Sequence, residues 1–273
     1  MKSPHANRRL QALSTLDGLG QIDDSLLAAA LKDAHPAVRR HAIWLSEPRL
    51  LQEAVQLRLL KMAVPPDPDA QVRLQLACTL GQWRDPRAGA ALAEMLVHDA
   101  SDPYLVAAVM SAAETHVQWI LPGVIRHGAN PTRHLPLVKE LLPAALAAEE
   151  EAVLAETLNE LTSRVGEEGR LWRWKVLQRL LKELDRQGES VGDWSRASGE
   201  DLQAAIPKLG PLFDAARQSA PDPSRSTEER VLAVALLGHG LKKQTSDFQR
   251  LRDLLTLDTI VEVQLAVIDR LAD

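Results

Sequence analysis

The 273 residues carry 32 basic and 37 acidic side chains, are 45% hydrophobic but only 3% aromatic, and include one cysteine, Cys78. A formal charge of −5 lacks the basic surplus that releases counterions from nucleic-acid phosphates, and a lone thiol excludes an intrachain disulfide. No apolar run reaches the length of a membrane-spanning helix, and MKSPHANRRL has no apolar stretch behind its charges, so neither membrane insertion nor a secretory signal is expected.

In chain order, the first strong signal is a repetition. DAHPAVRRHAIWL begins at Asp33 and DPDAQVRLQLACTL at Asp67, 34 positions later. Each runs Asp, four residues, Val-Arg, then a mostly apolar stretch. Val38, Ala42 and Leu45 recur at i, i+4, i+7 and share one helical face; Val72, Leu76 and Leu80, at i, i+4, i+8, also share one. Arg9 precedes a similar stretch upstream. Downstream, Leu105 takes the Val place and Val106 the Arg place; near the end, Val263 and Gln264 do so. Pro36, Asp67-Pro68 and Asp102-Pro103 break the chain before these faces, where proline suits a first helical turn and Asp caps its amides. Amphipathic stretches from Ser25, Arg49 and Arg87 fill the gaps, so each period reads helix, turn, helix. Such a hairpin buries its face only by stacking on the next.

After Gly128 the repetition blurs. PTRHLPLVKELLPAALA and EEEAVLAETLNELTS still read as helices, the second opening on Glu149, Glu150 and Glu151, which suit a helix N-terminus. RLWRWKVLQRLLKELDRQ is a helix ending at Gly188, and GESVGDWSRASGE reads as a loop. DLQAAIPKLGPLFDAARQSA is a helix broken near Pro207 and Gly210. TEERVLAVALLG, SDFQRLRDLL and TIVEVQLAVIDRLA close the chain. The expected organisation is one continuous all-α solenoid: repeat units over 1–128, an irregular helical segment over 129–190, and further repeat-like units over 191–273.

A search for chemistry finds no catalytic constellation and no expected cofactor or metal. Zinc sites need clustered Cys or His, and here the histidines are scattered, with His127 and His134 only loosely paired. The glycines at Gly18 and Gly238 lack the spacing of a phosphate loop and read as helix stops. In RLWRWK, Trp174 shares a stripe with Leu177, Leu181 and Leu184 and is expected in the core. Trp172 points elsewhere and is either a packing residue or a contact for a partner; Trp194 is the second candidate for a partner contact.

The Asp–x4–Val-Arg signature resembles HEAT repeats. That resemblance implies an α-solenoid of HEAT-like hairpins, with Arg39 and Arg73 on the second helix of each pair. There they would meet Asp33 and Asp67, or the neighbouring unit's Asp, as a ladder. Residues 8–126, with Leu-Asp-Gly-Leu-Gly, Val-Arg-Arg-His-Ala and Ser-Glu-Pro-Arg-Leu, further resemble the HEAT segment of planctomycete PVC-type haem-binding, membrane-bound dehydrogenase proteins. Such proteins are exported and place a β-propeller before the repeats and a cytochrome c domain after them. This chain has no strand-rich region and no Cys-x-x-Cys-His, so no catalytic residue carries over.

The expected function is a non-enzymatic scaffold for a protein partner or flanking domains, with no nucleic acid. The alternatives are an accessory segment of a dehydrogenase and, behind it, a HEAT-like DNA glycosylase or bilin lyase. A chain without a leader is expected in the cytoplasm; a fragment of the larger family would be exported.

Overall fold

The computed structural model describes residues 3–147, 151–163, 169–241 and 244–272. Among them the fold is an all-α solenoid of stacked helical hairpins, joined by short 3-10 segments and turns, with no strand. The chain separates into two compact units, 1–127 and 128–273.

The first unit contains α1 (Ala6–Gly18), α2 (Asp24–Ala30), α3 (Pro36–Ser46), α4 (Glu53–Ala63), α5 (Ala70–Gly81), α6 (Pro86–His98), α7 (Pro103–Ser111) and α8 (Ala113–His127). Helices α1, α3, α5 and α7 pack side by side in one layer. Helices α4, α6 and α8 form the other, and α2 leans on α3. The repeated apolar stripes lie between the layers: Val38, Ala42, Leu45, Val72, Leu76 and Leu80 are all buried. Each large aliphatic side chain so buried contributes about 1.5–3 kcal/mol, which makes these stripes the main source of stability.

Helix starts follow local chemistry. Asp102 caps α7 through the amides of Tyr104 and Leu105, with Pro103 in the first turn. At α5 the expected cap moves by two residues. Asp69, not Asp67, accepts the Gln71 and Val72 amides, because Asp67 is committed elsewhere. At α3 the His35 ring nitrogen accepts the Ala37 amide ahead of Pro36. The stretch from Arg49 is also not one helix. A 3-10 turn over Glu47–Arg49 ends at Leu50, and α4 starts at Glu53. In the second layer α6 and α8 cross closely. A Cβ added at Gly123 would lie 2.5 Å from the Ala93 Cβ, and one at Gly89 2.6 Å from the Trp119 Cβ.

The second unit contains α9 (Pro131–Ala147), α10 (Glu151–Thr162), α11 (Arg170–Gln187), α12 (Val191–Ala197), α13 (Glu200–Ala205), α14 (Gly210–Ser219), α15 (Thr227–Leu236), α16 (Gln244–Asp253) and α17 (Val261–Ala272). Glu149 and Glu150 lie outside the described residues; Glu151 opens α10. The segment expected as a loop contains α12. Ser190 and Asp193 form a reciprocal capping box, each side chain accepting the other's backbone amide, and this outweighs the Gly and Ser content. Gly188, at φ 75°, stops α11, and Pro207 sits in a 3-10 turn that ends at Gly210, where α14 starts.

Helix α11 packs against α9, α10 and α15. Its ion pairs to α15 are Arg170–Glu229 at 2.6 Å and Lys175–Glu228 at 2.5 Å. Between α14 and α16, Arg217 is clamped by buried Asp247, with Nε and a terminal nitrogen at 2.6 and 2.8 Å from its two oxygens. Asp247 also accepts the Gly238 amide, and Arg217 reaches Asp214 at 2.8 Å. These carboxylates hold the Arg217 guanidinium above its ordinary range although burial pushes it down.

Candidate docking site

The residues that recur in sequence form one device. Arg39 donates two hydrogen bonds of 2.7 Å to the two oxygens of Asp67, on the loop before α5. Arg73 does the same to Asp99 at 2.7 and 3.0 Å, and Arg9 to Asp33 at 2.8 and 2.6 Å. Every bridge therefore spans neighbouring units. The remaining guanidinium nitrogen turns back to its own loop. Arg39 donates to the Asp33 and Ala34 carbonyls, Arg73 to those of Asp67 and Pro68. One planar side chain thus fixes its own turn and the next hairpin together. The ladder stops at Val106, which has no charge to continue it.

Titration follows from this geometry. The Arg9 guanidinium holds the Asp33 carboxyl below the usual carboxylate range. Burial pushes Asp67 upward, but Arg39 and the Asp69 amide together outweigh it and leave that carboxyl lowered as well.

Because the inner positions are used for stacking, the outer face of the same layer is free. A groove of about 470 Å³ crosses α1, α3 and α5, lined by Leu10, Ala37, Arg40, His41, Trp44, Gln71, Leu74, Gln75 and Cys78. Ala37, Arg40, His41 and Trp44 lie at i, i+3, i+4, i+7 on α3; Gln71, Leu74, Gln75 and Cys78 hold the matching places on α5. Trp44 is half-exposed, with the His41 ring 5.4 Å away. His41 shares a 2.9 Å hydrogen bond with Ser14 of α1. Its described lining includes one formal cation, Arg40, and no carboxylate.

Burial keeps His41 below the ordinary histidine range, with Arg40 adding to the effect against Asp17. Fully buried His116, whose Nε2 lies 3.1 Å from the Gly81 carbonyl oxygen, is lowered by burial too. The sign is unambiguous: below the unfolded value of 6.5 the unfolded chain takes protons that the folded chain resists. Urea melts across pH are therefore expected to show constant stability of the first unit above pH 6.5 and a decline as pH falls below it. His116→Gln, which retains an amide donor for Gly81 but does not titrate, should make that decline shallower and leave the part that His41 contributes.

The tryptophans named from sequence are elsewhere. Trp172 and Trp194 are only 4% and 9% exposed, so neither offers a face to a partner. A single helical wheel places Trp172 off the main stripe, but α11 has neighbours on several sides, and the ring meets His134 edge-on at 6.1 Å. Trp194 donates its indole N–H to Glu189 at 2.9 Å. Trp174 is fully buried. His134 accepts the Ala129 and Asn130 amides, while His127 lies 3.9 Å from Glu94. Among the described residues no group of three or more His, Cys, Asp or Glu is placed to hold a metal, and no helix is long and apolar enough to cross a membrane.

The groove residues carry no repeated signal, since their identities change from unit to unit. Only the offset of Trp44 from the Val38–Ala42–Leu45 stripe marks them in sequence. Among known proteins, no curated protein and no solved structure matches the chain. A family model described as HEAT repeats matches residues 22–114, which take in α2 through α7. With the stacked hairpins and the arginine ladder, that match makes residues 22–114 a HEAT-repeat segment.

Proposed function

We propose that the chain is a non-catalytic scaffold that docks a protein segment in the groove over α1, α3 and α5. The observation that carries this reading is a contrast within the repeat. The ladder place keeps Arg at Arg9, Arg39 and Arg73, and Val recurs before it at Val38 and Val72, whereas the outer places change: Leu10, Arg40 and Leu74 occupy one of them, and Ser14, Trp44 and Cys78 another. A constant framework with a varied outer face suits recognition of an irregular partner. Trp44 offers a large apolar contact and Arg40 a cation, so the fitting segment presents an apolar side chain beside a carboxylate.

The test compares the immobilised chain with Trp44→Ser and Arg40→Glu variants, both at exposed positions that leave the fold intact. A partner retained by the parent chain and released by each variant is the expected result. Identical retention by all three would refute the reading, and salt-sensitive retention of DNA would point instead to nucleic acid.

A narrower version rests on the resemblance of residues 8–126 to the repeats of PVC-type dehydrogenase proteins, in which the segment spaces a propeller from a cytochrome domain. It requires propeller-coding sequence upstream and Cys-x-x-Cys-His downstream in the genomic reading frame.

A further inference from the structure

A second surface lies on α17, within the other unit. Val263 and Val267 are buried, and α17 packs mainly on α15 and α16. The opposite side is bare. Val261, Leu265 and Ile268 are 64%, 54% and 53% exposed at i, i+4, i+7, and Ala272 extends the line. An uncovered apolar stripe of this kind on a folded helix marks an interaction face.

Comparison with the inner repeats divides the stripe in two parts. With Val263 aligned to Val38 and Val72, Leu265 takes the outer, groove-lining place of Arg40 and Leu74, while Ile268 takes the place of Ile43 and Ala77, and Leu271 that of Ser46 and Leu80. All four inner residues are fully buried, because α3 and α5 have layer neighbours on both sides. Gln264 stands where the ladder arginine would. It donates to the Thr256 and Thr259 carbonyls, as Arg39 does to its own loop. The own-loop half of the device is kept, and the cation that would reach a following unit is missing.

The charges beside the stripe define what fits it. Glu262 and Asp269 are exposed, two turns apart along one edge of the stripe. Arg270, the remaining charged side chain described on α17, turns away and donates to the Leu237 carbonyl at 2.8 Å. The inner repeats reach forward with a cation; this helix presents carboxylates.

We propose that the α17 stripe docks an amphipathic helix of a protein partner, with apolar side chains at i, i+4, i+7 and Lys or Arg two turns apart along the facing edge. The inference is independent of the groove in the first unit.

Two synthetic helices test it against the full chain by fluorescence anisotropy. Both carry leucines at i, i+4, i+7; one has lysines along the flank, the other glutamates. The lysine helix should bind at least about ten-fold more tightly, the order expected from two rim ion pairs. Glu262→Lys with Asp269→Lys should reverse the preference. Leu265→Ser with Ile268→Ser should weaken binding of the lysine helix at least about ten-fold, as loss of two apolar anchors implies, while helicity and melting stay unchanged because both residues are exposed. Equal affinity for both helices, or no binding of the lysine helix, overturns the proposal. So does a concentration-dependent dimer in light scattering that Leu265→Ser abolishes, since a second copy would then occupy the stripe.

Discussion

Val72→Asp should lower the unfolding free energy of the first unit by about 4 kcal/mol, from burying a carboxylate without a partner. Val72 is fully buried between the layers, in a stripe with Leu76 and Leu80. The neighbouring arginine cannot rescue the new charge, because Arg73 is already bonded to Asp99 and to two loop carbonyls. Gln71→Asp, one position away on the exposed side, should change stability by less than about 0.5 kcal/mol. Urea denaturation of the two variants side by side reads the register directly. If both behave alike, the assigned inner face is wrong.

Arg217→Met should cost the second unit about 3–5 kcal/mol, because it strands a buried carboxylate. Asp247 is fully buried, and Arg217 supplies both hydrogen bonds that neutralise its two oxygens. The Gly238 amide alone remains to solvate it among the contacts described above. Removing both charges with Arg217→Met and Asp247→Leu should recover most of the loss, since a buried pair is weakly stabilising as a pair but costly to halve. A double-mutant cycle by chemical denaturation measures this. Additive losses would mean that the two side chains act separately.

The hairpin architecture was legible because period and pattern agree. The 34-residue spacing of Asp33 and Asp67 located the units, and the apolar stripes at helical period located their buried faces. The direction of the ladder was not legible. Spacing alone puts Asp33 six residues before Arg39, and that closeness is real, but it is the Asp33 carbonyl that Arg39 bonds, while the carboxylate it grips is Asp67. The same commitment explains why Asp69 takes over the capping of α5. Helix α12 was hidden because Gly, Ser and Asp read as loop until Ser190 and Asp193 are seen to cap each other. Trp172 was ambiguous because a wheel drawn for one helix does not show how many neighbours surround it. The groove was invisible for the opposite reason: its residues differ between units, so no repetition announces them.

Two fastening chemistries follow one another along the first unit. From Arg9 to Asp99 the hairpins are latched by ion pairs; from α6 onward the close crossing at Gly89 and Gly123 takes over. Since Asp33 and Asp67 owe their lowered pKa to the folded state, acid strong enough to protonate them unlatches the N-terminal hairpins, at a lower pH than the one at which buried His116 on α8 begins to oppose the fold. Acid therefore acts on the first unit in two ranges, through a buried imidazole on α8 and, at lower pH, through the carboxylate latches beside α1, α3 and α5.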